Sequence, residues 1–159
     1  MKMYDAKKVL QALENCGKTL ATAESCTGGW VGKLLTDIPG SSKSYLGGVI
    51  SYTNAVKNAV LGVPEDILRT FGAVSEQTAG AMAEGVRGVI GADLGVSVTG
   101  LAGPKGDGSN KPVGLVYIAV SDGEETQCRQ LRLPGDRLSV REQACNAVFS
   151  LILSILEAR

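Results

Sequence analysis

Residues 19–36, TLATAESCTGGWVGKLLT, predict a β-strand, a tight turn and an α-helix in direct succession. The strand covers residues 19–24, and the helix covers residues 27–36, where apolar residues recur at the helical period. Ser25 falls in the turn between them, and the two glycines behind it allow the helix to pack closely on the sheet. This unit is the beginning of an alternating α/β fold.

The same alternation continues on both sides of this unit. A helix with one apolar face precedes it and ends at Gly17, a natural C-cap. Further strands are predicted at residues 45–52, 93–99, 113–120 and 124–133. Further helices are predicted behind caps at Thr53 or Asn54 and at Ser75, and another begins with Pro64 at its first helical position. A closing helix carries Ser139 and Glu142 as a capping box. We therefore expect one α/β domain over residues 1–159, with a mixed β-sheet between helical layers.

Composition excludes several classes of partner. Lys plus Arg (16) balance Asp plus Glu (16), so no net charge draws the protein to nucleic acid or to an anionic membrane. Only 4% of residues are aromatic, too few for a platform that stacks bases. The N-terminus lacks a signal-peptide core, and the four cysteines lack C-x-x-C spacing. We expect a cytoplasmic protein with reduced cysteines, no metal, and neither a nucleic-acid nor a membrane partner.

The chain contains no histidine. This absence excludes Ser-His-Asp and Cys-His catalysis, H-E-x-x-H zinc sites and acid/base chemistry by imidazole. A hydrolase built from this sequence must use Lys, Tyr, Asp or Glu as its proton acceptor.

The turn at Ser25 permits two interpretations. The N–H groups of Thr27, Gly28 and Gly29 lie at the expected start of a helix, where partial positive charge stabilises an oxyanion or a phosphate. Alternatively, Ser25 or Thr27 is simply the helix N-cap. Glu24 either faces a cationic ligand, caps the helix or forms an ion pair.

Tyr52 and Lys57 supply a phenol and an amine about one helical turn apart. A partly buried lysine can lose its proton near neutral pH, so Lys57 can activate Ser25 with Tyr52 as a relay or hydrogen-bond donor. In the alternative, Tyr52 packs against its neighbours and Lys57 is a solvated surface lysine.

Two further segments are candidates for binding. The loop at residues 100–112, GLAGPKGDGSNKP, follows the hydroxyl of Thr99, and its glycines Gly100 and Gly103 allow close backbone approach to a ligand. Arg137 and Arg141 lie one turn apart at the start of the closing helix and suit a phosphate. The alternatives are an ordinary surface loop and solvated arginines.

The segments TAESCTGG, PGSS, YLGGVISYTNAVK, GAVSEQTA, ADLGVSVTGLAGP, KPVG and PGDR occur in this order. The set resembles the CinA C-terminal domain family, whose stand-alone members include nicotinamide mononucleotide deamidases. The resemblance implies a three-layer α/β/α sandwich and hydrolysis of nicotinamide mononucleotide to nicotinate mononucleotide and ammonia. It implies Ser25 as nucleophile with Tyr52 and Lys57 as partners, no cofactor, and a homo-oligomer, expected to be a dimer.

For a nucleotide substrate, we expect the 5′-phosphate to bind the backbone of Gly100–Gly103 and Arg137. The loop here carries Lys105 and Asp107 where the family is expected to have a plainer glycine run, which adds charge near the ligand. Two other functions remain open: a catalytically silent module that binds a pyridine nucleotide or serves a competence-related partner, and an amidase for another small amide.

Overall fold

The computed structural model describes residues 1–158 and contains five strands and six α-helices. The strands are β1 Leu20–Glu24, β2 Tyr45–Ile50, β3 Leu94–Gly100, β4 Leu115–Ser121 and β5 Thr126–Arg132. The helices are α1 Ala6–Cys16, α2 Trp30–Thr36, α3 Asn54–Leu61, α4 Glu65–Phe71, α5 Glu76–Ile90 and α6 Arg137–Glu157.

The strands form one mixed sheet in the order β2-β1-β3-β4-β5. β1 pairs in parallel with both β2 and β3, whereas β4 is antiparallel to β3 and to β5. The polar strand β5 lies at one edge, where its charged side chains face water. The mixed sheet expected from the sequence is confirmed.

Helices cover both faces of this sheet. Alternate residues of β1 show the division, because Leu20 packs with α1, α2 and α6, whereas Ala21 and Ala23 pack with α3 and α5. The molecule is therefore a three-layer α/β/α sandwich, as expected. Among residues 1–158, none of the helices combines the length and the apolar character needed to cross a lipid bilayer.

Helix boundaries differ from expectation at three places. Pro64 is the N-cap of α4, in extended backbone, and not its first helical residue. Helix α2 begins at Trp30 with Gly29 as its N-cap, so the prediction that Ser25 or Thr27 caps it is wrong. The capping box predicted for α6 is also wrong: the cap is Asp136, whose side chain accepts the N–H of Ser139. Asp136 precedes the helix in extended backbone, which brings its carboxylate to the free N–H groups.

Three predicted helix ends are confirmed. Gly17 adopts the left-handed conformation (φ 66°) that ends α1, and the side chains of Thr53 and Ser75 cap α3 and α5. The cap at Thr53 sets where α3 begins, and therefore which helical residue faces the end of β1.

The order of the parallel strands creates a crevice. From β1 the chain passes to β2 on one side, and from β2 it crosses over β1 to β3 on the other side, so the direction of the connections reverses beside β1. Ligands of open α/β sheets bind at such a switch point, beyond the carboxyl ends of the strands. Ser25, Tyr52 and Gly100 all lie at this end.

Candidate active site

Ser25 and Lys57 meet at the carboxyl end of β1. The Nζ of Lys57 lies 2.9 Å from the Oγ of Ser25, although the residues are 32 positions apart. Ser25 directly follows β1, and Lys57 lies in α3 on the face turned towards the sheet. Their exposed fractions are 7% and 1%, so both groups are largely withdrawn from solvent.

The other two hydrogen bonds of Lys57 Nζ go to backbone carbonyl oxygens. Nζ donates to the carbonyl of Ser51 at 2.7 Å and to that of Tyr52 at 3.2 Å. Burial lowers the pKa of Lys57 to about 8, because the ammonium ion is desolvated. A neutral amine keeps two N–H donors for the two carbonyls and has a lone pair free to accept the proton of Ser25. This arrangement would allow an amine to take the proton of a hydroxyl that attacks a substrate.

The hydroxyl of Tyr52 does not join this pair. The Tyr52 side chain is 58% exposed, and its hydroxyl accepts a hydrogen bond of 3.3 Å from Nη2 of Arg137. Tyr52 reaches Lys57 through its main-chain carbonyl instead. A relay through the phenol therefore stays a prediction.

A cavity of about 250 Å³ opens beside Ser25. Thr99 and Gly100 line it, as does Arg137, so three of the predicted substrate-binding residues reach it. The full lining is Ser25, Cys26, Tyr52, Lys57, Ala73, Val74, Thr99, Gly100, Leu101, Ala102, Asp107 and Arg137. Gly103 lies behind this wall, and its carbonyl accepts a hydrogen bond of 2.7 Å from Nη1 of Arg137.

Side chains fix the cavity wall between α4 and α5. The hydroxyl of Thr99 donates to the carbonyl of Ala73 at 2.8 Å, so its proton is already committed. The Nζ of Lys111 donates to the carbonyls of Phe71 and Val74, each at 2.5 Å. Lys111 therefore joins the loop after β3 to the segment between α4 and α5.

The structure places Thr27, Gly28 and Gly29 outside this cavity, contrary to the expectation that their N–H groups face the ligand. They line a neighbouring depression that includes Lys33 and Arg141. The N–H of Gly28 is also occupied, because it donates to the carbonyl of Ser25 at 3.1 Å. The cause is a turn that continues past Ser25 before the helix begins.

Glu24 occupies the start of α2. One carboxylate oxygen accepts the hydroxyl of Thr27 at 2.7 Å and the N–H of Val31 at 2.8 Å. The other accepts the N–H of Gly32 at 2.9 Å. The carboxylate thus caps the helix and closes its N-terminus to an external anion. Of the three roles considered for Glu24, the structure shows capping.

Cys26 follows Ser25 directly at the cavity. Cys26 lines the cavity, and within residues 1–158 its N–H group donates to no backbone carbonyl and interacts instead with the thiol of the same residue. This N–H is a candidate donor to an oxyanion formed at Ser25. Burial raises the pKa of the Cys26 thiol to about 12, so the thiol stays protonated and is a poor nucleophile.

Sequence reasoning offered Arg141 as a phosphate ligand, which is not the role it has here, and did not single out Lys111. Arg141 donates to the carbonyls of Cys26 and Thr27. Lys111 donates to the carbonyls of Phe71 and Val74. Both act on backbone carbonyls far away in sequence, for which the sequence carries no local signal. In the described part of the chain, no three His, Cys, Asp or Glu side chains are grouped so that they could hold a metal ion.

The sequence matches the family model of the CinA C-terminal domain over residues 4–156. A CinA-like protein of Gloeothece citriformis is 50% identical over 150 residues, which cover 92% of this chain and 36% of that protein. A CinA-like protein of Acidobacterium capsulatum is 47% identical over 144 residues, covering 91% of this chain and 35% of that protein. The chain spans about a third of the length of these curated relatives.

Solved structures show the same architecture. A CinA superfamily protein from Klebsiella pneumoniae matches with a TM-score of 0.95 and 29% identity, over 100% of both chains. The competence/damage inducible protein CihA from Agrobacterium tumefaciens matches with a TM-score of 0.90 and 37% identity, over 94% of this chain and 92% of that one. By sequence along nearly its whole length, and by fold, the chain belongs to the CinA C-terminal domain family.

Proposed function

We propose that this protein is an amidohydrolase that converts nicotinamide mononucleotide to nicotinate mononucleotide and ammonia. Ser25 is the nucleophile and Lys57 is the base. The observation that carries this proposal is the 2.9 Å contact between Lys57 Nζ and Ser25 Oγ, beside a cavity and withdrawn from water. The substrate comes from the resemblance of the sequence to stand-alone deamidases.

Acylation begins with neutral Lys57. Nζ accepts the hydroxyl proton as Ser25 Oγ attacks the carboxamide carbon, and the N–H of Cys26 donates to the oxyanion that forms. The ammonium of Lys57 then gives its proton to the amide nitrogen. The C–N bond breaks, ammonia leaves, and an ester of Ser25 remains.

Deacylation repeats the same steps with water. Lys57 takes a proton from water as the oxygen attacks the ester carbon, and it returns that proton to Ser25 Oγ when the C–O bond breaks. The product is a carboxylic acid that ionises at neutral pH. The carbonyls of Ser51 and Tyr52 hold Nζ in place through both protonation states.

The size and charge of the cavity suit part of a nucleotide. Its 250 Å³ is slightly below the range of about 300–1,000 Å³ typical of drug-sized ligands. Such a volume accommodates the aromatic ring with its carboxamide, and we place the phosphate at the mouth. Arg137 lines the cavity there and carries a charge suited to a phosphate. Asp107 also lines the cavity, and its negative charge suits the cationic pyridinium ring.

The test is incubation of the purified protein with nicotinamide mononucleotide, with chromatographic detection of nicotinate mononucleotide and a separate ammonia assay. Ser25→Ala and Lys57→Met should each lower kcat by about 10⁴-fold or more. Lys33→Met is the matched lysine control, because Lys33 is exposed and pairs with Asp37 at 2.7 Å. It should retain full activity.

The outcomes separate the candidate functions. Absence of product with the unmodified protein would reject the deamidase, and trials with other small carboxamides would then distinguish another amidase from a silent binding module. Product formation that is undiminished in Ser25→Ala would reject Ser25 as nucleophile while leaving the substrate correct.

A further inference from the structure

Two arginines at the start of α6 face different surroundings. Arg137 lines the cavity, but Arg141, one turn further along, does not. The Nε–H of Arg141 donates to the carbonyl of Cys26 at 2.9 Å, and its Nη2–H donates to the carbonyl of Thr27 at 3.1 Å. One guanidinium group therefore binds two consecutive carbonyls of the turn that follows Ser25.

The effect of Arg141 reaches Ser25 through the planar peptide groups of the turn. A carbonyl held in place fixes the N–H on the other edge of the same peptide plane. The carbonyl of Thr27 shares its plane with the N–H of Gly28, which donates to the carbonyl of Ser25 at 3.1 Å. That carbonyl in turn shares its plane with the N–H of Cys26. Arg141 thus fixes the successive peptide planes that carry Ser25 and its candidate oxyanion donor.

The guanidinium group of Arg141 is itself well held. Its carbon lies 5.4 Å from the ring centroid of Trp30, within the range of a cation–π contact. Gly28 lies against it in the left-handed conformation (φ +60°), and a Cβ there would sit 3.6 Å from Nη2. Arg141 is therefore neither a solvated arginine nor a free phosphate ligand, the two roles that the sequence suggested.

We propose that Arg141 is a positioning residue for Ser25, which holds the turn so that Oγ stays beside the Nζ of Lys57. The catalytic consequence rests on the proposed amide hydrolysis. Because Arg141 does not line the cavity, its loss acts on the reactivity of Ser25 and leaves substrate binding unchanged. A side chain that only stabilised the fold would show no such selectivity.

The experiment measures Ser25 reactivity with and without substrate turnover. Arg141→Met and Arg141→Lys are compared with the unmodified protein by the rate of Ser25 labelling with a small fluorophosphonate, followed by intact mass, and by kcat and KM for nicotinamide mononucleotide. In Arg141→Met the labelling rate and kcat should fall about 100-fold, because small misplacement of a reacting group has effects of this order. KM should stay within about twofold. Arg141→Lys should be intermediate, because an ammonium lacks the two-pronged geometry.

Arg87→Met is the matched control. The Nε of Arg87 also donates to a backbone carbonyl, that of Asp93 at 3.0 Å, but at the amino end of β3, away from the cavity. This variant should label Ser25 at the rate of the unmodified protein. Thermal melts of all variants report whether each is folded.

Several results would overturn the proposal. Labelling of folded Arg141→Met at the unmodified rate would do so, as would a raised KM with unchanged kcat. If Arg141→Met does not fold, Arg141→Lys decides, and an unchanged rate in that variant counts against the proposal. If the unmodified protein labels at Ser25 but releases no nicotinate mononucleotide, the proposed substrate is wrong while labelling still tests Arg141. A Ser25 that never labels rejects both.

Discussion

Raising the pH from 7 to 9 should increase kcat/KM for amide hydrolysis about tenfold. Burial lowers the pKa of Lys57 from its ordinary value of 10.5 to about 8. About one-tenth of the molecules then carry neutral Lys57 at pH 7, about half at pH 8 and about nine-tenths at pH 9. Because only the neutral amine accepts the proton of Ser25, kcat/KM follows this fraction.

Titration of Lys57 also makes the protein more stable as the pH rises. Below pH 8 the folded protein must hold a desolvated ammonium ion, whereas the unfolded chain keeps its lysine in water. Between about pH 8 and 10.5 the folded state binds fewer protons than the unfolded state, so the free energy of unfolding rises with pH. The full change from Lys57 is about 3 kcal/mol. Lys57→Met lacks this group, so unmodified protein should gain stability relative to this variant across the window.

Two measurements check these expectations. Product formation at substrate concentrations well below KM is followed from pH 6 to 10 at constant ionic strength, with Ser25→Ala as the blank for uncatalysed hydrolysis. Urea titrations of the unmodified protein and Lys57→Met are made across the same range. A flat activity profile between pH 7 and 9 would refute Lys57 as a titrating base. A constant stability difference between the two proteins would refute the lowered pKa itself.

Three further predictions concern stability and the cavity wall. Glu24→Gln should lower the free energy of unfolding by about 1–3 kcal/mol in urea titrations, because an amide nitrogen cannot accept the N–H of Gly32; an unchanged midpoint would contradict this. Lys111→Met should raise KM with little change in kcat, because it frees the loop after β3, and Lys111→Arg should recover part of the loss. Gly85→Ala should destabilise by about 1–3 kcal/mol, because its Cβ would overlap the carbonyl at the end of α3. Exposed Gly88→Ala, with no atom within 4 Å of its Cβ, should stabilise by about 0.5–1 kcal/mol, and equal melting shifts would contradict this contrast.

The pairing of Ser25 with Lys57 illustrates what the sequence can predict. The absence of histidine left few possible bases, and the cap at Thr53 placed a lysine one turn into a helix. Their contact in space depends on β2 lying beside β1, and local periodicity carries no information about strand order. The resemblance to the family, carried by the ordered motifs, indicated that Ser25 and Lys57 act together.

The wrong predictions for the turn after Ser25, its helix cap and its free N–H groups, have a local physical cause. The sequence could not show that Glu24 would take the N–H groups at the start of α2, because a carboxylate, a hydroxyl or a ligand can each satisfy them. It also could not show that Tyr52 turns its carbonyl, and not its phenol, towards Lys57. Which group faces inwards depends on backbone angles at a strand end, where the regular alternation of side chains stops.

The capping of α2 by Glu24 bears on how relatives of this protein are interpreted. Glu24 and Thr27 hold the turn through bonds within the chain, and none of these bonds uses the hydroxyl of Ser25. A relative in which the serine has been replaced can therefore keep the glutamate, the threonine and the same turn after chemistry has been lost. Retention of the glutamate and the threonine therefore shows only that the turn has been inherited. Under the proposed mechanism, the residues at positions 25 and 57 are the ones that report whether a lineage can still hydrolyse an amide.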